Sequence, residues 1–140
     1  MFDWSNYLGL AEQLATSADE ASWRSAISRA YYAAYGIACT HVSQPRLKDE
    51  GSHEAVWNAF VDRTKQTNPS NDVMIRRDGL RLKQLRKQAD YTASPAMTQK
   101  EASEALRLSQ KLKTALERRT PTVLAQSQPP QAVVPGSPAL

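Results

Sequence analysis

Apolar residues return at steps of three and four along most of the first 118 positions, the period of helices packed on one side. The densest such stretch is WRSAISRAYYAAYGIACTHV, positions 23 to 42. Trp23, Ile27, Ala30, Tyr31, Ala34 and Ala38 form one stripe, and no proline interrupts it, so an amphipathic helix is predicted there. A second stripe, Ser25, Arg29, Tyr32 and Gly36, flanks an Arg and a Tyr with two small residues that would let another helix approach closely. The other elements are expected to be organised around this helix.

The same reading predicts a first helix from Asp3 to Ala18, capped by Asp3 or Ser5, with Trp4, Tyr7, Leu8, Ala11, Leu14, Ala15 and Ala18 inward. SADEAS then offers N-caps and acidic residues suited to the positive end of the central helix. Pro45 sets a loop in SQPRLKDEGS, and Ser52 is the expected cap of a third helix from His53 to Lys65, with Val56, Trp57, Phe60 and Val61 inward. TNPSN reads as a break with Pro69 as a stop and Ser70, Asn71 or Asp72 as caps. A fourth helix, Val73 to Ala89, has the narrow inward stripe Ile75, Gly79, Leu82, Leu85 and Ala89 under a broad basic surface. Thr98 and Glu101 have capping-box spacing for a fifth, Gln99 to Arg118, packing through Ala102, Ala105, Leu106, Ser109, Leu112 and Leu116. The prediction is an all-α, up-and-down bundle of about five helices over residues 1 to 119. Residues 120 to 140 hold five of the eight prolines and no charged side chain, too little to offset ordering entropy, so a disordered tail is expected.

Composition narrows the chemistry. With 140 residues, 41% of them hydrophobic, the chain carries one domain's core. No apolar run approaches the roughly 20 residues of a membrane span and the N-terminus lacks a signal-peptide pattern, so a cytoplasmic protein with no membrane partner is expected. The single Cys39 excludes an internal disulfide, and its apolar setting predicts a buried thiol. The net charge of +4 is uneven. The first twenty positions hold Asp3, Glu12, Asp19 and Glu20 without a Lys or Arg, whereas Arg76, Arg77, Arg81, Lys83, Arg86 and Lys87 stand against Asp78 alone. Such a cluster suits a phosphate-bearing partner, with Arg76, Arg77 and Arg81 as contacts, or else a solvated face that pairs with the acidic first helix. Only His41 and His53 are present, with no zinc-ligand spacing and no Gly-rich phosphate loop, so neither a metal site nor a cofactor is expected.

The phrase SAISRAYYAAYGIA resembles the central helix of HEPN-domain proteins, small helical bundles of prokaryotic toxin–antitoxin pairs and antiviral systems. GSHEAVWNAF, the basic helix ending LRKQADY and the final amphipathic helix follow in the same order, so the resemblance spans about residues 1 to 118. It implies a cytoplasmic toxin or defence protein, a homodimer with its site between protomers, and RNA or a nucleotide as ligand. A minimal nucleotidyltransferase or antitoxin is the implied partner.

The residues left for chemistry are Arg29, Tyr32, His53, Arg86, Asp90 and Tyr91. Arg86 and Asp90 stand at i and i+4, so they pair on one helix face, and an Arg held by a carboxylate presents a rigid fork to phosphate. HEPN ribonucleases use an Arg followed, after four to six residues, by a His; by resemblance the RNA 2′-hydroxyl attacks the adjacent phosphate without metal, His moving the proton and Arg meeting the charge. Here the slot after Arg86 falls on Tyr91, Thr92 or Ala93. A tyrosine, ordinarily titrating near pH ~10, is a weak general base at neutrality, which leaves Asp90 as a proton acceptor one place early. Arg46 and His53 match the spacing literally but across a loop, and His53 is the best general-base candidate or a packing residue at a helix start. Two readings follow: a metal-independent ribonuclease with Arg86, Asp90, Tyr91 and His53 catalytic, and a non-catalytic HEPN-like module binding a partner protein or nucleotide.

Overall fold

In the computed structural model, residues 1–42, 50–62 and 68–119 are described, without the side chains of 50–52. They form α1 Ser5–Ala15, α2 Glu20–Cys39, α3 Glu50–Ala59, α4 Pro69–Tyr91 and α5 Gln99–Glu117, with no strand among the described residues.

α2 is the hub and touches each of the other four helices. It starts where Asp19 accepts the amide of Ser22 at 2.8 Å, with Glu20 in the positive first turn. Of the predicted stripe, Ile27, Ala30, Tyr31, Ala34 and Ala38 are buried and Trp23 is partly buried, and Ala26, Ala33, Tyr35 and Gly36 on the flanks are buried as well. A helix covered on nearly every side must occupy the centre of its domain. Cys39 is buried as predicted, and burial pushes its thiol up to about 11, which makes it inert at neutral pH.

Contacts fix the helix directions. Trp4, at the start of α1, lies over Gly36 near the end of α2, so the two run antiparallel. Arg24 and Ser28, early in α2, meet the last turns of α4, while α5 runs alongside α2, its Ser109 hydroxyl donating to the Ala30 carbonyl at 2.7 Å. Trp57 of α3 sits over Gly79 of α4 as Trp4 does over Gly36. Trp57, Phe60, Leu82, Leu112 and Leu116 belong to one buried core, each fully buried aliphatic side chain contributing about 1.5 to 3 kcal/mol.

Several boundaries differ from the sequence expectation. α1 ends at Ala15, and Ala18 is exposed. Asp3 accepts from the amide of Ser5 at 3.0 Å, but the formal cap position is Trp4, which has no capping side chain. Pro69 opens α4 instead of stopping a helix, because its fixed φ suits a first helical position whose N–H is surplus. Asn68 caps it, accepting from Asn71 at 3.3 Å, so Ser70, Asn71 and Asp72 lie inside the helix. α3 begins at Glu50 and so contains Ser52, its expected cap. The Thr98–Glu101 capping box is present as predicted: the Glu101 carboxylate accepts the Thr98 amide at 2.7 Å, and Thr98 Oγ1 also accepts from the Lys100 amide at 3.2 Å. The expected loop around Pro45, the stretch 63–67 and the expected tail 120–140 lie outside the described residues.

Candidate functional site

The antiparallel pairing of α2 with α4 brings the turn from Ser28 to Tyr32 against Arg86 to Tyr91. α4 continues to Tyr91, so the expected i, i+4 pair forms, with Arg86 Nη1 3.6 Å from Asp90 Oδ2. The Ser28 hydroxyl donates to the same carboxylate oxygen at 3.3 Å. Arg86 is only 1% exposed. Its guanidinium carbon lies 5.5 Å from the ring centres of both Tyr31 and Tyr32 and 5.7 Å from Tyr91. Three aromatic faces thus supply much of what hydration would have given, a contact worth ~2 kcal/mol or more when desolvated. Tyr91 itself is 73% exposed at the edge of this cluster.

His53 enters from α3 and is 5% exposed. Its ring stacks on Tyr35 at 4.1 Å, nearly parallel at 7°. Trp57 Nε1, which can only donate, bonds the Tyr31 hydroxyl at 3.2 Å, and that hydroxyl lies 3.0 Å from His53 Nδ1. The bonds from Trp57 to Tyr31 and between Tyr31 and His53 tie the imidazole into the aromatic core. Burial raises the Tyr35 hydroxyl well above the ordinary tyrosine range, so it stays protonated.

Arg29 lies on the outer side of α2 and is half-buried. Its guanidinium carbon sits 4.8 Å from the Tyr7 ring centre and 5.5 Å from that of Tyr32. Its one polar contact among the described residues is a long 3.5 Å approach to Ser28 Oγ, and no carboxylate there pairs with it. Two rings hold this cation in place while its donors stay available. Tyr7 continues into an aromatic group with Phe2 at 5.2 Å and Trp4 at 5.6 Å. The sequence marked Tyr7 only as an inward residue of α1; the signal available was its place three residues after Trp4, which sets both on one face.

Arg24 is a second residue that the sequence did not single out. Its Nη1 donates to the carbonyls of Gln88, Ala89 and Thr92 at 3.1, 2.9 and 2.8 Å, and Nη2 to Ala93 at 3.3 Å. They lie at and just past the negative end of α4, where the Gln88 carbonyl also accepts the Thr92 amide. Glu20 accepts from Arg24 Nε at 2.8 Å and from the Met97 amide at 2.9 Å; the amide first, then Arg24, holds its carboxyl below the usual range. Arg24, Glu20, Asp90 and Tyr91 line an open depression of about 530 Å³ beside the Arg86 cluster.

The remaining basic residues point elsewhere. Arg76 donates to Asn58 at 2.8 Å, Arg77 to its neighbour Asp78 at 3.0 Å, and Arg81 to Glu104 of α5 at 3.2 Å. Burial alone would raise the Asp78 carboxyl, but Arg77 and Lys111, the latter at 2.9 Å, bring it below its ordinary value. Lys83 and Arg86 are buried, so the expected continuous basic surface on α4 is split among three directions. α1 and α4 do not touch; the acidic partners come from α4 and α5. The structure therefore gathers Arg29, Tyr32, His53, Arg86, Asp90 and Tyr91 and leaves Arg76, Arg77 and Arg81 outside. Among the described residues no three His, Cys, Asp or Glu side chains are grouped as metal ligands would be.

The described residues form an all-α bundle of five helices, with an arginine–tyrosine cluster that crosses α2 from α1 to the end of α4. No family model, curated protein or solved structure matches the chain.

Proposed function

We propose that the chain is a HEPN-like module that binds RNA or a nucleotide by its phosphate, and that it holds this ligand without cutting it. The observation that carries the reading is Arg29, a guanidinium set between Tyr7 and Tyr32 with no carboxylate partner among the described residues. A cation oriented by ring faces keeps its fork of donors for an anion, and phosphate fits that fork in bidentate fashion. Tyr32 and the exposed Tyr91 add ring faces beside it. Arg86 and His53 are enclosed, so they act through the residues they orient. A proton-transfer group has to reach the reacting atom within about 3 Å, and neither side chain is open to a ligand of RNA size in this conformation.

The ribonuclease reading is favoured by a different observation, the Arg86–Asp90 pair beside Tyr91 at the rim of the depression. The toxin or defence role, the cytoplasmic setting, the homodimer and the nucleotidyltransferase partner come from the HEPN resemblance. Of the stripe Ser25, Arg29, Tyr32 and Gly36, Gly36 is covered by Trp4 of its own chain. No helix among the described residues is long and apolar enough to cross a membrane.

The test is RNA binding and cleavage by the full chain in EDTA. Binding that falls with added salt, about tenfold weaker in Arg29→Gln, with the RNA recovered intact, is the expected result. Products ending in 2′,3′-cyclic phosphate, lost in Arg86→Ala, would replace the binding reading with the nuclease one.

A further inference from the structure

The cluster around Arg29 extends beyond the residues that a phosphate requires. From α1 to the end of α4 the order is Phe2, Tyr7, Arg29, Tyr32, Arg86 and Tyr91, with successive separations of 5.2, 4.8, 5.5, 5.5 and 5.7 Å. Rings and guanidinium groups share one row drawn from three helices, α1, α2 and α4, and the N-terminal segment. Its two ends are open: Phe2 is 48% exposed and Tyr91 73%. Phe2 lies before α1 and takes no part in the buried core, yet it is held against Trp4 at 5.0 Å and Tyr7 at 5.2 Å.

We infer that this row is a binding track for single-stranded RNA, in which the exposed rings at its two ends, Phe2 and Tyr91, stack unpaired bases while Arg29, held between Tyr7 and Tyr32, takes a phosphate between them. The inference rests on the phosphate-binding reading above and names the form of its ligand. Stacking on aromatic faces next to a cation that follows the backbone is the general means of holding single strands without reading sequence, because every base offers a π-face. A duplex hides those faces within its own stack, so the rings favour unpaired RNA.

The experiment is fluorescence anisotropy of the full-length protein with a short labelled RNA, single-stranded and as the matching duplex. The single strand should bind at least about tenfold more tightly, with Phe2→Ser costing it about tenfold and leaving the duplex value unchanged, while Tyr7→Leu, which also loosens Arg29, weakens both forms. Arg29→Gln should weaken both forms. Tyr7→Leu is read only where circular dichroism shows native helicity; the exposed position of Phe2 lets Phe2→Ser decide alone if it does not. Equal affinity for the two forms, or a Phe2→Ser variant that binds the single strand as the parent does, overturns the stacking track and leaves the phosphate reading in place if Arg29→Gln is still weakened. Absence of binding to either RNA overturns both.

Discussion

A glycine and an indole decide two of the closest approaches in the molecule. Gly36 lies under Trp4 and Gly79 under Trp57, and a Cβ at either position would enter the ring. The sequence identified Gly36 as a place for close approach and expected another helix there; the occupant is a side chain from α1. At Gly79 two effects compete. Alanine would gain about 1 kcal/mol in helix propensity, whereas forcing Trp57 aside costs about 1 to 3 kcal/mol in overpacking. The indole is also tied to Tyr31 through its Nε1 bond, so it has little freedom to give way. Gly79→Ala should therefore destabilise the protein by about 1 to 2 kcal/mol, read as a lower urea midpoint with an unchanged slope. A variant as stable as the parent would mean that Trp57 shifts freely.

At the scale of an element, the end of α4 is held by a side chain from α2. Arg24 satisfies carbonyls that would otherwise face water at the helix terminus that carries Asp90 and Tyr91. Charge-assisted bonds of this kind contribute about 1.5 to 3 kcal/mol when buried, and partial exposure of Arg24 lowers that to about 1 to 2. Arg24→Ala should cost that much stability. It should also speed hydrogen exchange at the Thr92 amide, which bonds the Gln88 carbonyl at 3.0 Å, while α5 amides keep their protection relative to global stability. Uniform loss across all helices would show that Arg24 supports the whole bundle and not this terminus.

For the whole molecule, the two ends of the bundle have different electrostatics. The end of α4 is partly open, whereas the opposite end closes on a buried pair, Arg119 Nε to Asp72 Oδ1 at 2.7 Å, with Arg119 also 4.9 Å from the ring centre of Phe60. His41 is buried there, and burial first, then the nearby Arg119 charge, lowers its pKa to about 4. An unfolded histidine titrates near ~6.5, so below that pH the unfolded chain binds the proton first. The stability associated with neutral His41 is full above about pH 6.5 and declines as pH falls toward 4, on the order of 2 to 3 kcal/mol in all. Asp3, Glu20, Asp78 and Glu101, all held below their ordinary values, lose their contributions at lower pH still. His41→Asn should thus flatten the fall in melting temperature between about pH 6.5 and 4.5, where those carboxylates remain charged. An unchanged slope would place the acid sensitivity elsewhere.

The sequence by itself determined the helices, the hub and the inward stripes, because a 3.6-residue apolar period and capping side chains act within a few residues of where they are written. Ile75, Gly79, Leu82, Leu85 and Ala89 are buried as their spacing predicts, and the Thr98–Glu101 box forms as its spacing predicts. The pairing of Arg86 with Asp90 was legible for the same reason, since i and i+4 meet wherever a helix persists. Only the tertiary structure decided which basic residues face out. Period and charge gave Arg76 to Lys87 one broad positive surface, but burial depends on what the other helices bring, and they bring Tyr31 and Tyr32 over Arg86 and Glu104 to Arg81. Pro69 was read as an end because proline breaks a helix from within; at the first position the same ring begins one. The cradle of Tyr7 around Arg29 and the grip of Arg24 on α4 join residues 22 and more than 60 places apart in the chain. No local period encodes such meetings; they exist once α1, α2 and α4 have packed.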